Sequence, residues 1–211
     1  MALVVITGGA RSGKSNAATR LAESRQRDGA AVTVAVFGRA ADEEMRDRIA
    51  RHRAERPAGF ETLEVGTAAV AASSIEGPDW LSRVDDHSLL VIDCLGTMLG
   101  LVMEVAWAEC GAGKLGEAAA VGLPDGYANR VDTAFSSLVS RIAARAGDTL
   151  VVTNEVGAGV VPEWASARLF RDLLGSANRS LVSRADAAYL AVAGRLMPLS
   201  EVSSQVAWPA E

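Results

Sequence analysis

The hydrophobic residues of this chain are grouped into short runs that predict the strands of a buried sheet. The runs are Leu3–Ile6, Ala31–Phe37, Phe60–Val65, Ser88–Asp93, Thr149–Thr153 and Ala187–Ala193. Most are continuous and rich in β-branched residues, as expected of strands that are covered on both faces. Between these runs, apolar residues recur at the three- and four-residue spacing of a helix. This alternation predicts one α/β domain over residues 1–211, with a mostly parallel sheet and helices on both faces.

The segments between the runs predict helices with identifiable ends. Helices are predicted from Asn16 to Leu21, after Asp42-Glu43-Glu44, from Leu95 to Trp107 and from Val131 to Ala146, the last with an apolar stripe of Val131, Phe135, Leu138, Val139 and Ile142. Pro162 is expected in the first turn of a later helix that breaks near Gly175, with a further helix over 178–184. Residues from Met197 onward are expected to form a loosely held tail.

The first strand leads into an eight-residue segment that fits the phosphate-loop pattern Gly-x4-Gly-Lys-Ser. Its residues are Gly8, Gly9, Ala10, Arg11, Ser12, Gly13, Lys14 and Ser15. The glycines allow consecutive backbone N–H groups to surround an anion, and the following helix N-terminus adds its positive end. Lys14 would contact the outer phosphates, and the Ser15 hydroxyl would ligate Mg²⁺. The pattern therefore predicts a nucleoside triphosphate site that uses Mg²⁺.

The lysine in this segment is unusual for the chain. Lys14 and Lys114 are the only lysines among 21 basic residues. A lysine supplies a compact, mobile point charge, whereas the arginine that the chain uses elsewhere carries a planar guanidinium group. The choice of residue at position 14 supports a phosphate-binding role.

Polar residues end two further strands. Asp93 follows four apolar residues, as the second Mg²⁺ ligand of a phosphate-loop enzyme would. Asn154 and Glu155 follow the strand that starts at Thr149. Since ligands of open parallel sheets bind at the carboxyl ends of the strands, Asn154 and Glu155 should face the phosphate-loop crevice if their strand is central.

His52 is the second residue with candidate chemistry. It is one of two histidines, and the predicted helix places it on one face with Met45 and Ile49. A lone histidine on such a face is usually structural, and a solvated basic face is a second interpretation. Neighbouring guanidinium groups would suit a polyphosphate and favour a neutral, nucleophilic imidazole; they belong to Arg48, Arg51, Arg53 and Arg56. His87 is predicted to be a surface turn residue.

Composition excludes several classes of function. The formal charge of −5 argues against a nucleic-acid groove, which requires a basic surface. Two cysteines, Cys94 and Cys110, indicate reduced thiols rather than a disulfide framework. The chain contains neither a signal peptide nor an apolar stretch of about 18 residues, so we expect a cytoplasmic protein without a membrane partner.

Several blocks together resemble one family, the bifunctional adenosylcobinamide kinase / adenosylcobinamide-phosphate guanylyltransferases of cobalamin biosynthesis. The resemblance covers nearly the whole chain and rests on residues 7–15, on 42–57 with Arg48 and His52, on 153–163, on Arg168 to Asn178, and on Ala185-Asp186. It implies a RecA-like phosphate-loop fold and a homotrimer. It also implies a corrinoid substrate, with ATP or GTP as phosphoryl donor and GTP as guanylyl donor.

The resemblance assigns roles to individual residues. His52 falls on the histidine that takes GMP from GTP, releases pyrophosphate and passes GMP to the phosphorylated corrinoid, and a covalent intermediate of this kind divides one difficult displacement into two. Nucleotide or metal contacts fall on the phosphate loop and on Phe37, Gly38, Arg39, Arg53, Ala54, Glu55, Arg56, Glu64 and Asp93. Asp93 and Glu155 are both candidates for the base of the kinase step.

One departure from the family pattern motivates an alternative. Relatives usually have Ala-Thr at the end of the second strand, where this chain has Val36-Phe37-Gly38 and so lacks the hydroxyl. The alternatives are therefore a guanylyltransferase with a weakened kinase activity, or a nucleotide-dependent switch protein that transfers no group. The Gly-rich residues 111–126 also exceed what the family pattern requires.

Overall fold

The computed structural model of the protein describes residues 1–37, 57–67, 80–111 and 122–202. The strands are β1 Leu3–Gly8, β2 Val32–Phe37, β3 Glu61–Val65, β4 Leu89–Asp93, β5 Thr149–Val152, β6 Ala187–Val192 and β7 Arg195–Pro198. The helices are α1 Lys14–Arg27, α2 Leu95–Glu109, α3 Tyr127–Ala143 and α4 Ala165–Val182, with a short 3₁₀ helix at Trp80–Arg83. Each predicted strand is confirmed, including the short one before Gly66.

The strands form one sheet in the order β3-β2-β4-β5-β1-β6-β7. All neighbouring pairs are parallel except β6 and β7, which are antiparallel. β5 lies between β1 and β4, so the strand that carries Asn154 is central. The carboxyl ends of β1, β4 and β5 consequently meet at one edge of the sheet.

Helices cover the two faces of the sheet differently. α1 packs on one face through small side chains, Ala17, Ala18 and Ala22, which contact residues such as Ile6 and Val91. α2, α3 and α4 pack on the other face around large side chains, of which Trp80, Trp107, Tyr127 and Phe135 are fully buried. The predicted stripe of α3 is buried in full. Helices on both faces of a mostly parallel sheet confirm the predicted fold class.

The prediction of a helix that breaks near Gly175 is wrong. α4 runs without interruption from Ala165 to Val182, so the predicted pair of helices is one helix. A glycine inside a helix costs about 1 kcal/mol, and Gly175 is on the exposed face. Leu174, Ala177 and Leu181 are buried on the opposite face, and their packing outweighs that cost. Pro162 lies three residues before the helix rather than in its first turn.

The prediction of a loose tail from Met197 is also wrong for residues 197–198. Arg195–Pro198 form β7, which pairs with β6 through a two-residue turn. Ala193 and Gly194 both have positive φ, at 49° and 78°, as a tight hairpin turn of this kind requires. Ala-Gly is a weaker turn signal than Asn-Gly, so the local sequence does not indicate this hairpin.

Several predictions fall outside the described residues. They include the helix after Asp42 and most of the Gly-rich stretch 111–126. Within the described ranges, no helix is long and apolar enough to cross a membrane. Cys94 and Cys110 are both free thiols, as predicted.

Candidate active site at the carboxyl edge of the sheet

The phosphate loop connects the end of β1 to the start of α1. Gly13, at the N-cap of α1, has φ 93°, and a Cβ atom there would lie 3.1 Å from the Cα of Gly194. A Cβ atom at Gly8 would lie 2.5 Å from the carbonyl oxygen of Ala191. Glycine is therefore required at both positions, because the loop is packed closely against the β6–β7 hairpin. The same hairpin donates a hydrogen bond from Gly194 N to the carbonyl oxygen of Ser12, at 2.9 Å.

Two buried polar groups lie within this loop. Lys14 is buried, and its Nζ donates a hydrogen bond to the carbonyl oxygen of Gly9 at 2.9 Å, so the ammonium group is held back against the loop itself. The Ser12 hydroxyl is buried and has no hydrogen-bond partner. A buried hydroxyl without a partner is unfavourable by about 1–3 kcal/mol. An anion bound in the loop would offer acceptors for both groups.

Ser15 and Asp93 are brought together by the pairing of β4 with β5 and by the packing of α1 on that face. Ser15 Oγ donates a hydrogen bond to Asp93 Oδ1 at 3.4 Å. A hydroxyl and a carboxylate are oxygen ligands of the type that Mg²⁺ prefers, and Mg²⁺ commonly takes few protein ligands because phosphates and waters complete its shell. The described parts of the chain contain no cluster of three His, Cys, Asp or Glu residues that could bind a metal alone. The residues present therefore fit Mg²⁺ bound together with a nucleotide.

The segment after β5 lies directly beside the phosphate loop. The amide of Glu155 donates to the carbonyl oxygen of Gly8 at 3.0 Å. Asn154 Oδ1 lies near the first turn of α2, since a Cβ atom at Gly96 would be 3.8 Å from it. These contacts join the carboxyl ends of β1 and β5 to the helix that follows Asp93. β5, the strand before Asn154, is central in the sheet, as the prediction for Asn154 and Glu155 required.

Asn178 holds this segment in place, a role that the sequence did not reveal. Its Nδ2 donates to the carbonyl oxygen of Asn154 at 2.9 Å, and its Oδ1 accepts from the hydroxyl of Thr153 at 2.7 Å. Asn178 is buried on α4. The sequence carries one sign of this role, because Asn178 is a polar residue on the apolar face of an amphipathic helix. The prediction of two separate helices hides that sign, since it places Asn178 at a helix start.

Glu64 and Asp93 lie on the same face of the sheet. The pairings of Glu64 with Val36, and of Val36 with Asp93, place these residues in one row across three strands. Two strand spacings separate the acids by about 10 Å. Glu64 is exposed on the edge strand β3. The row thus runs from Asp93, beside Ser15, across β2 to Glu64 on β3.

The side chain of Phe37, whose position the family resemblance assigns to the nucleotide site, points away from this face. It is 5% exposed in the core on the α2 side, where it packs edge to face on Trp80 with ring centroids 5.2 Å apart. Seven of the predicted site residues lie outside the described residues; they are Gly38, Arg39, His52, Arg53, Ala54, Glu55 and Arg56.

Comparison with known proteins identifies the family of the chain. A family model described as cobinamide kinase / cobinamide phosphate guanyltransferase matches residues 4–199. The chain belongs to this family. The family resemblance drawn from the sequence is confirmed, and the RecA-like phosphate-loop class that it implied agrees with the observed sheet.

Two curated relatives match most of the chain. The bifunctional adenosylcobalamin biosynthesis protein CobP of Pseudomonas aeruginosa is 33% identical over 195 residues, which cover 92% of this chain and 95% of the relative. The bifunctional adenosylcobalamin biosynthesis protein CobU of Salmonella typhimurium is 30% identical over 193 residues, with 91% and 96% covered. Among solved structures, a type III secretion ATPase superposes with a TM-score of 0.49 and 14% identity, over 90% of this chain and 50% of that chain.

Proposed function

We propose that this protein phosphorylates adenosylcobinamide with ATP or GTP and then transfers GMP from GTP, through a guanylyl-histidine at His52, to the phosphorylated corrinoid. The observation that carries the kinase half is the phosphate loop, with Lys14 held across it and Ser15 beside Asp93. The family of the chain and the bifunctional relatives support the second half. The fold of one domain, the homotrimer and the cytoplasmic location stay predictions.

The kinase step needs little from the protein beyond position and positive charge. The acceptor hydroxyl oxygen bonds to the γ-phosphorus, the bond from that phosphorus to the β–γ bridging oxygen breaks, and the nucleoside diphosphate leaves. The loop amides and Lys14 bind the outer phosphates. Ser15 and Asp93 would hold Mg²⁺, which neutralises charge on the phosphates. Since Asp93 is committed to the metal in this proposal, Glu155 is the base that takes the hydroxyl proton.

The guanylyl step uses His52. A ring nitrogen of His52 bonds to the α-phosphorus of GTP, the α–β phosphoanhydride bond breaks, and pyrophosphate leaves with the electron pair. A phosphate oxygen of the phosphorylated corrinoid then bonds to the same phosphorus, and the phosphorus–nitrogen bond breaks to restore the imidazole. Arg53 and Arg56, close in sequence, would neutralise the phosphates.

The decisive experiment is a search for the covalent intermediate. The protein is incubated with Mg²⁺ and α-³²P-GTP, quenched in denaturant, and tested for acid-labile, alkali-stable label. We expect label on the wild type and none on His52→Ala. His87→Ala is the matched control, because His87 is the other histidine and is exposed in a turn before β4, at the opposite edge of the sheet. Label that persists in His52→Ala contradicts the proposal.

The buried position of Phe37 favours one alternative, a guanylyltransferase with a weakened kinase activity. Where relatives usually have a hydroxyl, this chain uses the side chain for packing against Trp80. Transfer of the γ-phosphate to adenosylcobinamide, measured separately from guanylyl transfer, distinguishes the two. A kinase rate much lower than the guanylyl transfer rate supports the alternative, and comparable rates exclude it.

A further inference from the structure

The turn between β6 and β7 contacts the phosphate loop, although the two segments are far apart in the sequence. Its residues are Ala193 and Gly194, called the β6–β7 turn below. Gly194 N donates a hydrogen bond to the carbonyl oxygen of Ser12 at 2.9 Å. A Cβ atom at Gly13 would lie only 3.1 Å from the Cα of Gly194, so the two backbones are in close contact. The turn therefore packs directly on the peptide group that joins Ser12 to Gly13.

The hydrogen bond to Ser12 O fixes the direction of the next backbone N–H group. Ser12 O and Gly13 N belong to one planar trans peptide group, in which the C=O and N–H bonds point in opposite directions. Since the carbonyl oxygen is directed at Gly194, the N–H group of Gly13 is directed away from the β6–β7 turn. Gly13 is the N-cap of α1, where backbone N–H groups have no partner within the helix and are available to an anion.

The phosphate loop is held at a second point by the strand on its other side. β1 lies between β5 and β6 in the sheet. Glu155 N, after β5, donates to the carbonyl oxygen of Gly8 at the start of the loop, and Gly194 N, after β6, donates to that of Ser12 near its end. Neighbouring strands therefore preorganise the loop. Preorganisation increases affinity because less conformational freedom is lost when a ligand binds.

The β6–β7 turn holds an alanine in a conformation that alanine rarely adopts. Ala193 has φ 49° and Gly194 has φ 78°, and a two-residue turn with positive φ at both positions is favoured by Asn-Gly or Gly-Gly. For alanine this left-handed conformation is unfavourable, because its Cβ atom approaches the backbone. Strain of this kind is concentrated at functional sites and is retained where the surrounding structure fixes the conformation. The contact with the phosphate loop is such a surrounding.

We propose that the β6–β7 turn is a positioning element of the nucleotide site. Gly194 N holds the carbonyl group of Ser12 and thereby directs the N–H group of Gly13 at a phosphate of the bound nucleotide. Gly194 is a positioning residue, since it acts through Ser12 and Gly13. This inference rests on the proposed function, because it concerns the site that binds the nucleotide of that reaction.

Variants at Gly194 test this role because they change the backbone preference of the turn without a steric clash. Among the described residues, a Cβ atom at Gly194 would meet no atom within 4 Å beyond its chain neighbours, but the φ of 78° disfavours a side chain. Asparagine tolerates this conformation better than most residues, and β-branched valine tolerates it poorly. Gly194→Asn should therefore keep the turn, and Gly194→Val should distort it.

Gly29→Val is the matched control. Gly29 also has a positive φ, at 94°, and in the part of the chain that the structure describes a Cβ atom there would meet no atom within 4 Å beyond its chain neighbours. It also donates its N–H group to a carbonyl oxygen, that of Gln26 at 2.9 Å. It lies between α1 and β2, at the amino edge of the sheet, whereas the phosphate loop is at the carboxyl edge. The two valine variants therefore strain similar turns, and only one of these turns contacts the loop.

The experiment is a titration of each variant with a fluorescent GTP analogue and Mg²⁺, at a temperature where circular dichroism shows it folded. Gly194→Val should raise the Kd about tenfold or more, because a charge-assisted hydrogen bond from Gly13 N–H to phosphate is misaligned. Gly194→Asn and Gly29→Val should stay within about twofold of the wild type, since neither moves Gly13. If Gly194→Val does not fold, Gly194→Ala strains the turn less and should still raise the Kd.

Two results of this titration overturn the inference. One is an unchanged Kd in a folded Gly194→Val or Gly194→Ala. The other is an equal rise of the Kd in Gly29→Val, because general destabilisation would then account for the loss of affinity. Recovery of the affinity in Gly194→Asn supports the inference, since this variant adds a side chain but keeps the conformation of the turn.

The titration requires no turnover, so it separates this inference from the proposed function. If the wild type binds GTP but transfers no group, the proposed function fails, and a raised Kd in Gly194→Val still supports the inference. Normal turnover of the wild type with an unchanged Kd in Gly194→Val overturns the inference alone. Absence of GTP binding to the wild type overturns both.

Discussion

At the scale of single residues, the candidate site depends on pairs that are distant in sequence. Ser15 and Asp93 are 78 residues apart, yet their oxygens form a hydrogen bond at 3.4 Å. Each residue type was recognised from its local pattern, a phosphate loop and an acid at a strand end. Their proximity turns two weak signals into one candidate Mg²⁺ site, because both oxygens are then available to the same ion.

We expect Ser15→Ala and Asp93→Asn to be coupled in nucleotide binding. Each single variant should weaken the binding of a fluorescent GTP analogue in the presence of Mg²⁺, and the double variant should lose less than the sum. Ligands of one ion are not independent, so the coupling free energy should be about 1 kcal/mol or more. The control is the same titration in EDTA, where the coupling should disappear. Additive losses in Mg²⁺ would contradict a shared ion.

At the scale of elements, the end of β5 is positioned by α4. Asn178 is buried on α4 and bonds to both Thr153 and Asn154. The helix continues past Gly175 to reach this position, since Asn178 is in the turn that follows the glycine. A break at Gly175 would have removed the support of the segment that carries Glu155.

Asn178→Ala should lower the kcat of phosphoryl transfer as well as the stability. It removes both the donor to Asn154 O and the acceptor of the Thr153 hydroxyl. Each lost buried hydrogen bond costs about 1–3 kcal/mol in the free energy of unfolding. Thr153→Val is the matched comparison, because it removes the bond to Asn178 but leaves the bond to Asn154. We expect a larger loss of kcat in Asn178→Ala than in Thr153→Val at temperatures where both are folded. Equal kcat values, with a difference in stability alone, would show that Asn178 is only structural.

At the scale of the whole molecule, the two edges of the sheet have different roles. The amino edge is held by polar contacts between distant segments. Arg145 is buried and donates to the carbonyl oxygens of Asp85, Ser88 and Asp148. The carboxylate of Asp148 accepts from Ala2 N at 2.8 Å and from Arg25 Nη2 at 2.5 Å, so it joins the start of the chain and the end of α1 to β5.

The stability contributed by Asp148 should depend on pH. The hydrogen bond from Arg25 holds the pKa of Asp148 below its ordinary value of 3.8, with burial opposing it and the Ala2 amide assisting. A depressed pKa means that this stability is present above pH 3.8 and is lost as the pH falls through the folded-state pKa. Asp148→Asn should lower the free energy of unfolding in urea by about 1–2 kcal/mol at pH 7, with a smaller difference near pH 3.

Asp28→Asn is the control for this experiment. Asp28 lies 4.0 Å from the same Arg25 but is 64% exposed, and surface pairs of this kind contribute about 0–1 kcal/mol. The variant should differ little from the wild type at either pH. A loss in Asp148→Asn that is the same at pH 7 and pH 3 would show that the carboxylate charge is not responsible.

The strands and the phosphate loop could be predicted from the sequence because their signals are local. A run such as Leu3–Ile6 and the eight residues after it are contiguous, and short-range sterics and hydrogen bonding determine their conformation. Predictions of where helices and strands begin and end are less accurate. The predictions at Gly175 and Met197 are wrong because packing of α4 against the core, and pairing of β7 with β6, outweigh what the local residues favour.

The sequence alone determined the class of fold, the anion-binding loop and the family, since residue types and their spacing specify these. Only the tertiary structure decided that β5 lies between β1 and β4, that Ser15 meets Asp93, and that the side chain of Phe37 is buried. The physical reason is that strand order arises from contacts between segments far apart in the chain, and no local pattern of residues specifies which strands become neighbours.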